Sequence, residues 1–233
     1  DIIKEGSDPW DNPLAFSTNA SQKSTIGVSS ITDLLNAGTA VTLQANNDIT
    51  LSTALTANNT SGGGGALTLQ AGRSIFLNDS IVTDNGNLTL TANETTANGV
   101  LDAHRDSGAA VITMLSEKTI DAGSGEVSIT LADGAGKTYT ESGAVTLQGI
   151  AAGSLTVSNQ GPTAGSGISL GATTLSGNLT LTAAKGDIAQ TDALSVAGTT
   201  SLTAGAGNNV TMDNASNDFT GAVSIVSGGT VSL

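Results

Sequence analysis

Two short stretches hold residue types that can do phosphate chemistry. Asp133-Gly134-Ala135-Gly136-Lys137-Thr138 closes as a phosphate-binding loop closes, with Gly-Lys-Thr. Such a loop needs an earlier glycine, so that successive backbone N–H groups can wrap the phosphate, and a helix after it. Leu131 stands where that glycine belongs, and no helical pattern follows. His104-Arg105-Asp106 copies three letters of a kinase catalytic loop. The Asn, the metal-binding Asp-Phe-Gly and the strand lysine that make those letters chemical are missing. Neither stretch is expected to act on phosphate.

A group of ionisable residues gathers between 93 and 125. Glu94, Asp102, His104, Arg105, Asp106, Glu117, Lys118 and Asp121 all fall there. Asp102, His104, Arg105, Asp106, Glu117 and Lys118 are the candidate recognition residues, expected on an irregular insertion. Cleaving a polysaccharide needs convergent carboxylates, or arginine, lysine and metal-held acids on one face. Seven basic residues and a single histidine, scattered along the chain, do not supply them. The expectation is a protein that is not an enzyme, with no catalytic residue, no cofactor and no metal site. The acid pairs Asp79/Asp84 and Asp213/Asp218 have a spacing compatible with calcium, but no site is assigned to them. Lys185-Gly186-Asp187 sits in the same kind of turn as Asn46-Asn47-Asp48 and is read as a turn. Asn87, Asn93, Asn178 and Asn209 begin Asn-x-Ser/Thr triplets, which permit glycosylation.

Composition limits what can position these residues. Aromatics are 2% of the 233 residues, so the core must come from Ala, Val, Ile and Leu. Small uniform side chains suit thin repeated layers. The net charge of -13 repels nucleic-acid backbones and anionic membranes. Cysteine is absent, and no apolar run reaches the roughly 18 residues of a membrane-spanning helix. No nucleic-acid partner and no membrane insertion are expected. The alternating pattern is still running at Val231-Ser232-Leu233, so the chain reads as a segment of a longer protein.

One phrase recurs: AVTLQA at Ala40–Ala45, ALTLQA at Ala66–Ala71, NLTLTA at Asn87–Ala92, AVTLQG at Ala144–Gly149, SLTVSN at Ser154–Asn159 and NLTLTA at Asn178–Ala183. Weaker copies are TSLTAG at Thr200–Gly205, NVTMDN at Asn209–Asn214 and AVSIVS at Ala222–Ser227. Apolar and polar residues alternate in each, the mark of a strand buried on one face. A turn of Gly, Asn or Asp and a second short apolar stretch follow, as at Ile49-Thr50-Leu51 and Ile75-Phe76-Leu77. A third follows at Leu55, at Ile81 and at Leu194-Ser195-Val196. Leu179, Leu202 and Val223 lie 23 and 21 residues apart, and Ile188, Val210 and Val231 lie 22 and 21 apart. The spacing predicts an all-β, right-handed parallel β-helix of about 21–23 residues and three short strands per coil.

One coil buries five or six aliphatic side chains at roughly 1.5–3 kcal/mol each. Ordering its backbone costs on the order of 1–2 kcal/mol per residue. A lone coil therefore does not fold, and a stack does. The expected organisation is a linker or cap over residues 1–30, holding Trp10, two prolines and Phe16. A β-helix follows over 31–233, with an irregular insertion around 93–125. Ser30–Gly38 reads as a short helix stopped by Gly38.

SSITDLLNAGTAVTLQANNDITL and LTLQAGRSIFLNDSIVTDNGNLTLTA resemble the repeat regions of filamentous-haemagglutinin-like exoproteins, the two-partner secretion group that includes the high-molecular-weight adhesins. The likeness runs over about residues 26–233 and is a likeness of repeat style. It implies export through an outer-membrane partner barrel, display on the bacterial surface, and attachment to host-cell or bacterial glycans or proteins. The expected function is a fibre shaft or attachment module, with end-to-end self-association at an open coil edge. The alternatives are a carbohydrate-binding β-helix, or an ice-binding face built on Thr89/Thr91 and Thr180/Thr182. Gln44, Gln70 and Gln148 are expected to interrupt that face.

Overall fold

A computed structural model describes residues 2–4, 15–17 and 20–233. Trp10, Pro9 and Pro13 lie outside the described residues. The chain winds as a parallel β-helix. Three sheets run its length, and every strand pair between coils is parallel. One coil is β3 (Val41–Ala45), β4 (Ile49–Leu51) and β5 (Leu55–Thr56). The next is β6 (Leu67–Ala71), β7 (Ile75–Leu77) and β8 (Ile81–Val82). Then come β9 (Leu88–Ala92), β10 (Ala110–Met114) and β11 (Thr119–Asp121), followed by β12 (Glu126–Leu131), β13 (Ser142–Leu147) and β14 (Gly149–Ala152). The fifth coil is β15 (Ser154–Asn159), β16 (Ile168–Leu170) and β17 (Thr173–Leu175), and the sixth is β18 (Leu179–Ala183), β19 (Ile188–Gln190) and β20 (Leu194–Val196). β21 (Thr200–Ala204), β22 (Val210–Thr211) and β23 (Asp218–Phe219) form the seventh, and β24 (Val223–Ser227) with β25 (Val231–Ser232) opens an eighth.

The alternation seen in the sequence is the alternation of the pleat. Leu43, Leu69, Leu90, Ile129, Val157, Leu181, Leu202 and Ile225 form one column along the axis. Ile49, Ile75, Ile112, Val145, Ile168, Ile188, Val210 and Val231 form a second. All but the last residue of each column belong to one buried aliphatic cluster. Each buried layer seals the next, and the ladders between coils satisfy the backbone.

Two details differ from the spacing argument. Successive coils of the first column take 26, 21, 39, 28, 24, 21 and 23 residues. The extra length sits in loops, because only the strands must match between neighbours. The partner of Leu202 is Leu181, and Leu179 faces Thr200. A slip of two residues keeps the same pleat face, so alternation alone does not resolve it. AVTLQG at 144–149 also departs from expectation. It lies on β13, in the sheet of Ile49, so Gln148 is not on the face that carries Gln44 and Gln70.

The corner before each strand of the first column is lined by glycine. A Cβ placed on Gly86 would lie 2.4 Å from Gly65 O, one on Gly125 2.5 Å from Gly86 O, one on Gly177 2.6 Å from Gly153 O, and one on Gly221 2.1 Å from Gly198 O. Consecutive coils touch backbone to backbone there, which explains much of the glycine content.

At the N-terminal end, β1 (Ile2–Lys4) inserts between β2 (Thr25–Gly27) and β4. Helix α1 (Val28–Asn36) follows, burying Ile31 and Leu35 against the stack. Gly38, at φ +72°, turns the chain out of the helix as expected.

Candidate functional site

The corner between the first and second strand of each coil is where the solenoid departs from plain repetition. In the first two coils it is a tight turn, 46–48 and 72–74. In the next three it expands to 93–109, 132–141 and 160–167. These loops stack on one edge of the rod. The polar stretch 93–125 is therefore not one insertion. Residues 93–109 form a loop, while β10 and β11 are ordinary strands of the third coil.

The six candidate residues separate accordingly. Asp102, His104, Arg105 and Asp106 lie on the 93–109 loop. Glu117 and Lys118 lie at the next corner, between β10 and β11. Glu117 is an exposed turn residue at φ +66°. Lys118 Nζ is 3.0 Å from Asp79 Oδ1. Asp102 accepts from Thr138 N at 3.0 Å and from Thr138 Oγ1 at 2.6 Å. Those bonds hold its pKa below the ordinary aspartate value. Asp106 bonds Asn47 through both its backbone N–H, at 3.3 Å, and its carboxylate. His104 is half-buried at the end of a short 3-10 turn, Asp102–His104.

Arg105 is 3% exposed. Its Nη1 donates to Gly108 O at 2.7 Å and to Asp106 O, while Nε and Nη2 have no partner among the described residues. Burial lowers its pKa, and the charge of Arg73 adds to the fall. Arg73 is itself forked onto Asp48 and donates to Ser107 O at 2.9 Å, tying the loop to the first coil.

The centre of the corner is a trio. Asn93, in left-handed backbone at φ +53°, is 0% exposed, Glu94 3% and Lys137 8%. Asn93 Nδ2 donates to Ala132 O at 3.0 Å and Thr140 O at 3.1 Å, gripping both ends of the next loop. Lys137 Nζ donates to Asn93 Oδ1 at 2.9 Å and Gly72 O at 2.5 Å. Burial brings the lysine pKa down to about 8, with Arg105 adding to the shift. Glu94 Oε1 accepts from Thr95 N at 2.8 Å and Asn98 Nδ2 at 2.7 Å. Buried Asn93 is out of reach of a glycan in the folded chain. The Gly-Lys-Thr stretch that imitates a phosphate loop instead carries Lys137 inward.

The trio is not legible in the sequence as a unit. One signal is available: asparagine follows, or replaces, the inward alanine that ends the strand phrase, at Asn46, Asn93 and Asn159. All three are buried and bridge coils or loops.

Around this centre the corner presents exposed Leu101 and Tyr139 on adjacent loops. Farther along the same edge, Gly165, Gly167, Ser169, Asp187 and Asn208 line a shallow groove. Residues 162–226 match a family described as repeats of unknown function (DUF5649). The match covers the later coils, whose lengths are most even. No curated protein and no solved structure matches the chain. The chain is a β-solenoid repeat protein, similar over residues 162–226 to that repeat family.

Proposed function

We propose that this chain is a shaft segment of a large secreted bacterial surface adhesin of the filamentous-haemagglutinin-like kind, with the stacked-loop corner as its attachment surface. It makes and breaks no bond in a substrate. The observation that carries this reading is the contrast between the two parts of the surface. Along the outer face of the β3-to-β24 sheet, Thr42, Thr68, Thr89, Ser128, Thr156, Thr180, Ser201 and Ser224 form one unbroken column of short, uncharged side chains. Such a face suits a spacer. The corner instead gathers charge, a histidine and two exposed apolar side chains, the mixture a recognition surface uses. Cysteine-free composition suits passage through an outer-membrane partner barrel as an unfolded chain. The partners are glycans or proteins of host cells or of other bacteria.

Two measurements test this. Antibody raised against the chain should label intact cells of the producing bacterium, and labelling only after permeabilisation overturns surface display. A glycan array and cell-binding assay should compare the chain with a variant whose residues 95–108 are replaced by a short Gly-Ser turn. Binding by the first and not the second supports the corner as the attachment surface. Equal binding by both overturns that assignment.

A specific feature favours a second reading, a face that orders water. Thr89/Thr91, Ser128/Thr130, Thr156/Ser158, Thr180/Thr182 and Ser201/Thr203 are paired outward hydroxyl residues in five successive coils, with no side-chain hydrogen bond to another described residue. Coils are about 4.8 Å apart. Thermal hysteresis by the chain, lost in Thr180→Lys, would favour this reading; its absence would remove it.

A further inference from the structure

A buried lysine ordinarily meets a carboxylate. Lys137 instead meets two neutral oxygens, Gly72 O and the side-chain oxygen of Asn93. We infer that Lys137 and Asn93 are joined by an isopeptide bond that the folded chain forms by itself. The inference stands on the geometry of the corner and not on the adhesin reading.

The reacting groups are held. The Asn93 carboxamide is fixed through Nδ2 by Ala132 O and Thr140 O, and its oxygen lies 2.9 Å from Lys137 Nζ. Gly134 packs against the carboxamide so closely that a Cβ there would lie 2.8 Å from Oδ1 and 3.1 Å from Cγ. Water is kept away by burial, which removes the competing nucleophile. Holding amine and carbonyl together replaces a bimolecular encounter with an internal one, worth an effective concentration of about 10⁵ M or more in well-oriented cases. The neighbouring buried carboxylate, Glu94, is turned to Thr95 N and Asn98 Nδ2, which leaves the carboxamide as the side-chain partner of the amine.

The step balances without an oxidant. The neutral amine of Lys137 attacks Cγ of Asn93, and the Nζ–Cγ bond forms as Oδ1 takes the charge. One proton passes from Nζ to Nδ2 within the tetrahedral adduct. The Cγ–Nδ2 bond then breaks and ammonia leaves. The product is a secondary amide that ties the third coil to the fourth across 44 residues of chain. Lys137 must first lose its proton, and with a pKa of about 8 roughly a tenth of it is neutral at pH 7. The charges facing it are Arg105, Glu94, Asp102 and Asp133.

The test is the intact mass of the purified full chain with tandem mass spectrometry of its digest. The expected result is a mass lower by one ammonia than the sequence requires, and a branched peptide joining residues 93 and 137. Lys137→Arg restores the sequence mass. Full sequence mass in a folded wild-type chain overturns the bond. So does ammonia loss without a branched peptide, which marks a succinimide at Asn93.

Discussion

Arg73 of the second coil is forked onto Asp48 of the first, with Nε 2.8 Å from Oδ1 and Nη2 2.5 Å from Oδ2. Asp48 Oδ1 also accepts from Ser74 N at 3.0 Å, and Arg73 reaches Ser107 O in the 93–109 loop. One carboxylate thus anchors a guanidinium that spans the first coil and the corner loop. Two-point pairing gives such a contact more direction than a lone surface ion pair has.

Asp48→Ala is expected to lower stability by about 1–2 kcal/mol, at the upper end for a partly exposed pair because three hydrogen bonds go with it. The loop should loosen before the strands do. Hydrogen exchange would read this as faster exchange at residues 105–109, with β7 unchanged.

Core and face should respond very differently to small changes one residue apart. Leu181 is fully buried in the stacked column and Thr182 faces outward. Leu181→Ala is expected to cost about 2–5 kcal/mol, and Thr182→Ala less than about 0.5 kcal/mol. Gly177→Ala forces a methyl against Gly153 O, and overpacking of this kind costs on the order of 1–3 kcal/mol. Urea denaturation of the three variants ranks them.

Asp102 and Asp79 should titrate below ordinary aspartate. For Asp102 the first cause is the side-chain bond from Thr138, and for Asp79 it is the backbone bond from Ser80, with Lys118 second. A lowered folded-state pKa means fewer bound protons than in the unfolded chain. The stabilisation is fully present above the unfolded value of about 3.9 and fades as pH falls through the folded value. Carbon-detected NMR titration should find both carboxyls low, with Thr138→Val moving Asp102 upward and leaving Asp79 in place.

The last described coil leaves Val226, Val231 and Leu233 exposed, beside strands paired on one side only. Such an edge accepts another strand. This chain is expected to associate end to end as its concentration rises, and Val231→Lys should suppress it. Analytical ultracentrifugation showing one monomeric species at every concentration would remove the idea.

The sequence alone determined the architecture. Val, Leu and Ile at every second position, with polar neighbours and glycine-rich turns, can bury their apolar face only by stacking on copies of the same pattern. That requirement survives any change of register, which is why the parallel β-helix and its three strands per coil were legible. Register itself was not legible. Leu179 and Leu181 share one face of β18, so either satisfies the alternation, and only the loop lengths of neighbouring coils select Leu181 for Leu202. Nor did the sequence say which sheet receives AVTLQG at 144–149, because all three sheets ask for the same alternation. The meeting of Lys137 with Asn93 belongs wholly to the tertiary structure. It follows from coils of 39 and 28 residues whose surplus falls at one corner, where burial leaves the lysine two neutral partners, the Gly72 carbonyl and a carboxamide from the coil before it.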